Sequence, residues 1–529
     1  MTTTIAVAAP LQGAAVLAAA LAAAVALVVE DPRRRAMAVL AAPLLAVLAV
    51  ATVVDDAVGD ATGLGAKGAL AAVAGAAVVM GLTWLIVRRP EALPLLAVGA
   101  LPFRVPVSIG DSAANLLVPL YVVIAAGCVA YAVRHLRGER ARDDEEDALP
   151  WLRRLRFAFA AVLVLYALQS LYSTDLPQAV ENTGFFYVPF ALLFLLLLDV
   201  RWTRRVLLGC LGLTVALALA FAAIGFVEFA TGHLLITNAK VVEANDLKPY
   251  FRVNSLFFDP NIYGRYLALT MILLAAVLLW TRRRREVLLI GVALAVLWTG
   301  LVFSLSQSSF AALLLGLAVL AALRWSPWPV LGAAGAAALA ALAIVLFAPG
   351  ALNVETDSEQ ALDRATSGRV DLIGGGLAMV ADRPVWGFGS GAFAERYSER
   401  ERVSSEQVAA ASHTIPLTVT AEQGVVGLAA YLFLLVCALA LIFGGLRATL
   451  RARPAWPGVG AVTRVAVAAA YCGLLLHTLV YAAFLEDPLS WVLLALAAGL
   501  QVPGREPQDG SGASTNGSAP AGSRLAARA

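Results

Sequence analysis

Apolar runs of about 20 residues alternate with short polar segments along most of the chain. Runs of this length match the hydrocarbon thickness that a helix must cross, and they are far longer than barrel strands. They are apolar on every face, which is typical of helices in lipid or at the centre of a bundle. The pattern predicts an all-α fold, a polytopic transmembrane bundle of about 13–15 spans with one large, partly helical extracytoplasmic loop.

Among the candidate crossings, the weakest is 92–103, which is short for a span and contains Pro94 and Pro102. We keep it as a pass through the membrane, completed by 104–112, because its removal would put the basic segment 134–156 outside. The full set of candidate runs is 11–29, 36–54, 68–87, 92–103, 113–133, 155–172, 184–198, 206–228, 263–280, 287–304, 309–323, 329–347, 415–443, 464–484 and 489–502.

The polar segments divide the chain into four parts. Residues 1–347 form an N-terminal transmembrane bundle that includes an outer loop at 229–262, and 348–414 form the large extracytoplasmic loop. Residues 415–502 form C-terminal transmembrane helices. The tail 503–529 is rich in Gly, Ser, Ala and Pro, so we expect it to be disordered and cytoplasmic.

Lys and Arg are unevenly distributed between the two sets of loops. The segments predicted to lie inside hold 27 of the 39 Lys and Arg residues. The positive-inside rule therefore favours a multi-pass protein of the cytoplasmic membrane with its N-terminus outside and its C-terminus in the cytoplasm. The first run follows a segment without basic residues and precedes EDPRRR, so we expect a retained helix rather than a cleaved signal.

Composition adds three exclusions. The chain is 60% hydrophobic with a mean hydropathy of +0.81 and a net charge of only +3, so nothing suggests nucleic acid as a partner. All four cysteines lie within apolar runs, which argues against a disulfide framework and against a thiolate metal cluster. No cofactor is predicted.

The stretch FRVNSLFFDPNIYGRY, residues 251–266, places polar residues at the lip of an apolar run. Pro260 fits the first turn of a helix, with Asp259 or Asn261 helping to cap it. A helix start does not explain Arg252, which either snorkels to lipid phosphate or has a specific role. Arg265 is a second cation near the same interface.

The outer loop 348–414 holds a second group of candidates in SGRVDLIGGGLAMVADRPVWGFGSGAF, residues 367–393. Arg369 is predicted to open an amphipathic helix that ends before Arg383. The glycines that follow, Gly387, Gly389 and Gly391, allow sharp turns or close approach to a ligand, but for the glycines alone a plain surface turn is the preferred interpretation. They do not form a dinucleotide fingerprint, because no strand precedes them.

The third group is SHTIPLTVTAEQGVVGL, residues 412–428, where His413 precedes a span on the predicted outer side. A lone histidine at a helix start is more often a capping or packing residue, but a neutral imidazole near the interface is also a suitable proton acceptor. Glu422 lies nine residues on, about 180° around an unbroken helix, so it is assigned a structural or helix-pairing role.

Arginines, a histidine and a Gly-rich turn on one side of the membrane together favour a site for a phosphorylated, lipid-anchored substrate. Guanidinium groups suit a diphosphate. The outer segments contain no cluster of His, Cys or carboxylates with ligand spacing, so the sequence predicts that arginines rather than a metal hold the phosphates.

These stretches resemble the O-antigen ligase and O-antigen polymerase superfamily of multi-spanning glycosyltransferases. The likeness covers roughly 160–445 and depends on all three motifs in order, with the large outer loop between two spans. The residues that carry it are Arg252, Phe257, Pro260, Asn261 and Gly264; Arg369, Asp382, Arg383, Pro384, Gly387, Gly389, Gly391 and Phe393; and His413, Glu422, Gly424 and Gly427.

The resemblance implies an enzyme that transfers or polymerises a glycan from a polyprenyl diphosphate carrier onto an acceptor hydroxyl at the outer face, without a metal and with inversion. It implies His413 as the catalytic base and Arg252 and Arg369 as diphosphate ligands, with Arg265 and Arg383 as further candidates. Asn261, the three turn glycines and Glu422 would support them. The expected partners are the lipid-linked donor, a glycan, lipid or protein acceptor, and membrane lipids.

Two positions depart from the family pattern. The family often has Asn after the histidine, where this chain has Thr414, and often Ser-Arg at the lip of an earlier span, where this chain has Ser306-Gln307. If Arg369 is not the matching arginine, Arg364 and Arg383 are the next candidates in the same loop. The motifs do not separate ligases from polymerases.

Two other classes of function compete with this interpretation. A transporter or flippase for a lipid-linked or anionic solute would place ionisable residues deep in its spans, where only Glu228 and His477 stand out. Both are interpreted as core or interface residues. A structural or sensory scaffold would leave the outer-loop residues unexplained.

Overall fold

The computed structural model describes residues 2–57, 66–109, 112–137, 149–237, 241–242, 245–246, 250–333, 335–336, 369–401, 415–452, 457–480 and 484–501. Most of these residues form helices. In chain order the N-terminal helices are α1 Thr2–Val28, α2 Pro32–Ala57, α3 Ala66–Arg88, α4 Ala92–Ala100, α5 Val118–Leu136, α6 Pro150–Ser170 and α7 Leu176–Leu198, the last with a π-helical turn at Asn182–Tyr187.

The chain continues with helices on both sides of the second outer loop. They are α8 Arg204–Thr231, α9 Pro260–Leu278, α10 Arg284–Ser304, α11 Gln307–Arg324, α12 Arg369–Asp382, α13 Phe393–Glu401, α14 Ile415–Phe443, α15 Leu446–Ala452, α16 Val459–Val480 and α17 Pro488–Gly499.

The predicted all-α polytopic fold is confirmed. Within the described ranges, ten helices are long and apolar enough to cross a membrane, and three shorter apolar helices accompany them. The predicted run 329–347 lies mostly outside the described residues, so the expected number of spans stays a prediction.

The region around 92–103 is only partly helical. Helix α4 runs parallel to α8, because Gly209 faces Leu95 and Gly99 faces Leu213 one turn further along. Beyond α4 the chain continues without helix, and the Phe103 ring packs edge-on against Phe221 at 5.9 Å. An antiparallel hairpin, β1 Val105–Ile109 with β2 Ser112–Leu116, completes the segment. Sequence periodicity did not predict this hairpin.

Small residues allow the helices to pack closely in the core. A Cβ atom on Gly127 would meet Leu196 at 2.8 Å, and one on Gly473 would meet the Ala312 carbonyl at 2.7 Å. Large rings fill the remaining space, as where Phe159 stacks on Trp491 with centroids 4.1 Å apart. Since helices in lipid associate through such close packing, the Ala- and Gly-rich sequence explains the compact bundle. All four cysteines are free.

Three aspartates cap helices at one end of the bundle. Asp259 accepts from the Asn261 amide at 2.6 Å, Asp487 accepts from the Leu489 amide at 2.9 Å, and Asp175 accepts from the Gln178 amide at 3.0 Å. Asp259 and Asp487 are each followed by proline in the first helical turn, which lacks the amide that would otherwise be left unpaired. Asp259, rather than Asn261, is therefore the cap.

These caps mark the end of the bundle that the charge pattern predicts to face outside, which we call the outer end. It collects the last residues of α6, α8, α10 and α16 and the first residues of α9, α11, α14 and α17. The opposite end, where α11 and α15 finish, is called the inner end.

Candidate active site at the outer end

Two groups of polar residues lie at the outer end. The first, the Arg252 cluster, comprises Arg252, Asn261, Ser304, Ser306, Ser308 and His477. The second is the Gly-rich turn 383–393, which packs against α6 and α14. Each is held in place by a buried glutamate.

Arg252 is fixed through both its backbone and its side chain. Asn245 accepts from the Arg252 amide at 2.9 Å and donates to its carbonyl at 3.1 Å. The guanidinium donates from Nε to the Ser304 carbonyl at 3.1 Å and from Nη2 to Asn261 Oδ1 at 3.4 Å. Among the described residues no carboxylate forms an ion pair with this half-buried guanidinium.

A chain of hydroxyl groups continues from Asn261 to His477. Ser306 Oγ donates to Asn261 Oδ1 at 2.8 Å and lies 3.2 Å from Ser308 Oγ, which lies 3.2 Å from His477 Nε2. The absence of a side chain at Gly264 makes room for this chain, since a Cβ atom there would meet Ser304 Oγ and Ser309 Oγ at 2.9 Å. His477 is buried and also interacts electrostatically with Arg265.

Glu228 anchors the loop that carries Arg252. Its carboxylate accepts hydrogen bonds from the backbone amides of Leu235 at 2.9 Å, Asn254 at 3.2 Å and Ser255 at 2.7 Å. Ser255 has a φ of 53°, a left-handed conformation that is unfavourable for a non-glycine residue. A buried carboxylate that accepts charge-assisted hydrogen bonds from backbone amides stabilises such a turn, so Glu228 determines where the loop that carries Arg252 lies.

Arg265 has a different environment from Arg252. Its Nη1 lies 2.7 Å from Asp487 Oδ2, and both side chains are almost fully buried, at 5% and 3% exposure. The charge of Arg265 is therefore compensated within the protein. Asn261 and Arg265 are four residues apart on α9 and so share one face, which places this ion pair one helical turn below the Arg252 cluster.

A break in α14 explains the fold of the Gly-rich turn. Gly424 has non-helical backbone angles, φ 67° and ψ −167°, which interrupt the hydrogen bonds of the helix. The turn satisfies the exposed groups: Phe388 and Gly389 donate to the carbonyls of Ala421 and Glu422 at 3.2 and 2.8 Å, and Val425 donates to the Pro384 carbonyl at 2.8 Å. Irregular backbone at membrane depth requires such protein partners.

Three glycines of the turn adopt positive φ angles and pack directly on backbone. They are Gly387 at 67°, Gly389 at 103° and Gly391 at 80°. A Cβ atom on Gly389 would clash with Ser173 Cα, and one on Gly387 with the Glu422 carbonyl. Both the conformation and the close approach therefore require glycine.

Glu422 holds the end of the turn. Its carboxylate accepts from the amides of Gly391 at 3.0 Å and Phe393 at 3.2 Å. Ser390 adds a contact to α6, since its Oγ donates to the Tyr166 carbonyl at 2.8 Å and its own carbonyl accepts from Ser173 Oγ at 2.8 Å. The turn is thus joined to both neighbouring helices.

The remaining predicted site residues belong to the same loop. Helix α12 begins at Arg369 and ends at Asp382, as the sequence predicts, and the Arg369 side chain lies outside the described part of the structure. Arg383 is exposed, with its guanidinium 4.8 Å from the centroid of Phe388. His413 and Arg364 lie outside the described residues. Convergence of Arg252, Arg369 and His413 stays a prediction.

The segment 484–487 connects the two groups. Asp487 pairs with Arg265, while the neighbouring half-buried Glu486 interacts electrostatically with Glu422 and Arg104. Burial raises the pKa of Glu486 to about 7, and the positive charge of Arg104 partly opposes this shift. Burial also raises the pKa of Asp175, which lies near the Gly-rich turn.

A large apolar cavity of 460 Å³ extends below the Arg265 ion pair. It lies between α8, α9, α10, α16 and α17 and shares Leu101, Tyr266 and Leu489 with a small pocket of 30 Å³ that Arg104, Arg265 and Asp487 line. Its size is in the range of ligand cavities. Its wall is mostly apolar, with Arg204, Glu286 and several threonines among the lining residues.

Several polar residues of this site were not singled out from the sequence. His477 was interpreted as a core residue, and Asp487, Glu486 and the hydroxyls of Ser308 and Ser309 were not assigned. The available signals were the polar run FSLSQSS between two apolar runs and the recurrence of Asp-Pro at the start of a span, in FFDPN and again in LEDPL.

Comparison with known families finds a similarity over part of the chain. Residues 292–432 match the family model described as O-Antigen ligase. The matched segment begins within α10 and ends within α14. The predicted resemblance to the O-antigen ligase and polymerase superfamily is confirmed. No curated protein compared with the chain matches it. The match and the ten apolar helices support a multi-pass membrane protein of the glycan ligase or polymerase class.

Proposed function

We propose that the protein transfers or polymerises a glycan from a polyprenyl diphosphate carrier onto an acceptor hydroxyl at the outer face of the cytoplasmic membrane. The family match supports a glycan ligase or polymerase in general. The carrier, the catalytic base and the inverting stereochemistry are what the family resemblance implies, and the environment of Arg252 supports the diphosphate site.

The observation that carries the proposal is the environment of Arg252. Asn245 fixes its backbone, and the Ser304 carbonyl and Asn261 Oδ1 accept hydrogen bonds from its guanidinium, yet no described carboxylate neutralises that charge. A fixed, uncompensated guanidinium at a membrane interface is suited to a phosphate oxygen. Arg265, whose charge Asp487 compensates, would line the floor below it.

The apolar cavity suits the carrier's hydrocarbon chain. Its upper boundary adjoins the small pocket lined by Arg265 and Arg104, so a carrier whose diphosphate lies at the outer end would place that diphosphate near these cations. This arrangement favours a donor that carries both a long apolar chain and a diphosphate.

In the proposed reaction His413 removes the proton from the acceptor hydroxyl as its oxygen attacks the anomeric carbon. The new glycosidic C–O bond forms while the bond from that carbon to the diphosphate oxygen breaks. The proton remains on the imidazole, and the carrier diphosphate leaves with its additional negative charge facing Arg252 and Arg369. A single displacement inverts the anomeric centre.

The test compares His413→Ala with His233→Ala, which removes an exposed histidine in the other outer loop. We expect His413→Ala to stop glycan transfer while the lipid-linked donor accumulates at the outer face, and His233→Ala to behave as the wild type. A flippase would instead leave the donor at the inner face when it is inactivated. Transfer by His413→Ala at the wild-type rate would refute the proposed base.

A further inference from the structure

Three arginines surround a pocket of 200 Å³ at the inner end of the bundle. Arg324 comes from the end of α11, and Arg447 and Arg451 come from α15. The 18 residues of α11 separate this pocket from Ser306 in the Arg252 cluster. That length corresponds to about 27 Å of helix, close to the hydrocarbon thickness of a bilayer. The pocket therefore lies at the membrane interface opposite the proposed transfer site.

The charges in this pocket are not compensated by the protein. No carboxylate lines it, and none within the described ranges forms an ion pair with Arg324, Arg447 or Arg451. Arg447 and Arg451 are four residues apart and so lie on one face of α15, a spacing at which like charges repel. An anion between the three guanidinium groups would remove this repulsion.

The rest of the pocket wall is aromatic and apolar. The Arg324 guanidinium carbon lies 5.7 Å from the Trp280 ring centroid and 6.0 Å from that of Trp325. Trp280 is buried, whereas Trp325 is 69% exposed, as expected for an aromatic ring at the membrane interface. Leu323 and Leu450 complete the apolar side. Cationic and apolar walls together suit a lipid better than a free anion.

We propose that this pocket binds the headgroup of an anionic glycerophospholipid of the inner leaflet. Its phosphodiester contacts the three guanidinium groups, and its acyl chains follow the apolar wall into the bilayer. Basic pockets between transmembrane helices on the cytoplasmic side recognise such headgroups, and each nearby arginine contributes about 1 kcal/mol. The inference is independent of glycan transfer.

Binding of phosphatidylglycerol to the purified full-length protein tests the proposal, with phosphatidylcholine as the zwitterionic comparison of zero net charge. We expect the variant R324Q/R447Q/R451Q to bind phosphatidylglycerol roughly a hundredfold more weakly than the wild type, and R447Q alone about fivefold more weakly. Native mass spectrometry with a lipid titration measures both. The single variant keeps the test informative if the triple variant does not fold.

The matched control is R282Q/R284Q/R285Q, which removes three exposed charges from the same end of the bundle but none from the pocket. It should bind phosphatidylglycerol as the wild type does. Equal weakening in this control would indicate non-specific surface attraction and overturn the proposal. Displacement of the lipid by millimolar inorganic phosphate would identify a free-anion site, and tighter binding after removal of residues 502–529 would identify the tail as the occupant.

Discussion

The two outer loops are anchored by the same device and differ in what they present. Glu228 accepts three backbone amides and fixes the loop before α9, and Glu422 accepts two and fixes the Gly-rich turn. The first loop presents a charged guanidinium beside a hydroxyl chain. The second presents glycines that pack on backbone. In the proposed function the first loop therefore supplies a ligand for an anion, and the second orders the turn through close backbone packing.

The two glutamates position the loops, whereas other residues of each loop are available for binding. A buried carboxylate that receives backbone amides keeps irregular loop structure in place at the edge of a membrane, where unpaired amides are costly. The chemistry of each loop then depends on residues outside the anchor. Variants of the anchors and of the presented residues should consequently have different signatures.

The largest effect is expected from Arg252→Gln, which removes the fixed charge and keeps a shorter, polar side chain. The rate of glycan transfer should fall by about 10²–10³, the usual consequence of losing one donor to a developing oxyanion. Steady-state rates with a polyprenyl diphosphate glycan measure this. Arg400→Gln removes an exposed arginine that pairs with Asp382 and should retain transfer within about twofold.

Glu228→Gln should have the next largest effect, because the amide can no longer accept all three hydrogen bonds. Displacing Arg252 by about 1 Å would lower the rate by about a hundredfold.

Glu422→Gln should instead weaken the attachment of the Gly-rich turn to α14. The rate of glycan transfer should fall by a smaller factor of about ten, and proteolysis at 383–393 should be faster. Equal proteolysis of both loops in both variants would show that the anchors are not independent.

A smaller effect on stability distinguishes close packing from backbone conformation in the second loop. Gly389→Ala introduces both a left-handed non-glycine residue and a clash with Ser173. Gly232→Ala has the same sign of φ, 67°, but meets nothing within 4 Å. The control should lose about 1 kcal/mol of unfolding free energy and Gly389→Ala clearly more. Thermal unfolding of the purified variants gives the comparison.

The segment that joins the loops should make stability depend on pH. Because burial raises the folded-state pKa of Glu486 to about 7 from 4.5, the native state holds more protons than the unfolded state between these values. The contribution of Glu486 to stability therefore falls as pH rises from about 4.5 to 7 and then levels off. Thermal midpoints of the wild type minus those of Glu486→Gln should show this slope, and a flat difference would contradict it.

The last prediction is that removal of metal ions has no effect on the rate of glycan transfer. If arginines bind the diphosphate, treatment with EDTA should leave the transfer rate unchanged within about twofold, in contrast to enzymes whose metal bridges the phosphates. A loss that Mg²⁺ restores would show that a cation shares this role with Arg252.

The sequence predicted the membrane class, the helix start at Pro260 and the helix Arg369–Asp382, because each depends on local pattern. Uninterrupted apolar runs, an Asp-Pro cap and an amphipathic period are visible within about 20 residues. The family match over 292–432 confirms the resemblance that the motifs suggested.

Contacts between distant segments could not be predicted in this way. The pairing of Arg265 with Asp487 joins residues more than 200 positions apart, and so does the bond between Gln169 and the Gln423 carbonyl. The break at Gly424 was also invisible, since its helix reads as one apolar run. Helical periodicity locates a residue on a face but does not identify the partner of that face.

Binding of the carrier without chemistry tests the central claim most directly. Polyprenyl diphosphate should bind to the His413→Ala protein as tightly as to the wild type, because the base acts only on the acceptor. Arg252→Gln should bind it about tenfold more weakly or worse, since one charge-assisted hydrogen bond contributes about 1.5–3 kcal/mol. Wild-type affinity in Arg252→Gln would contradict the account.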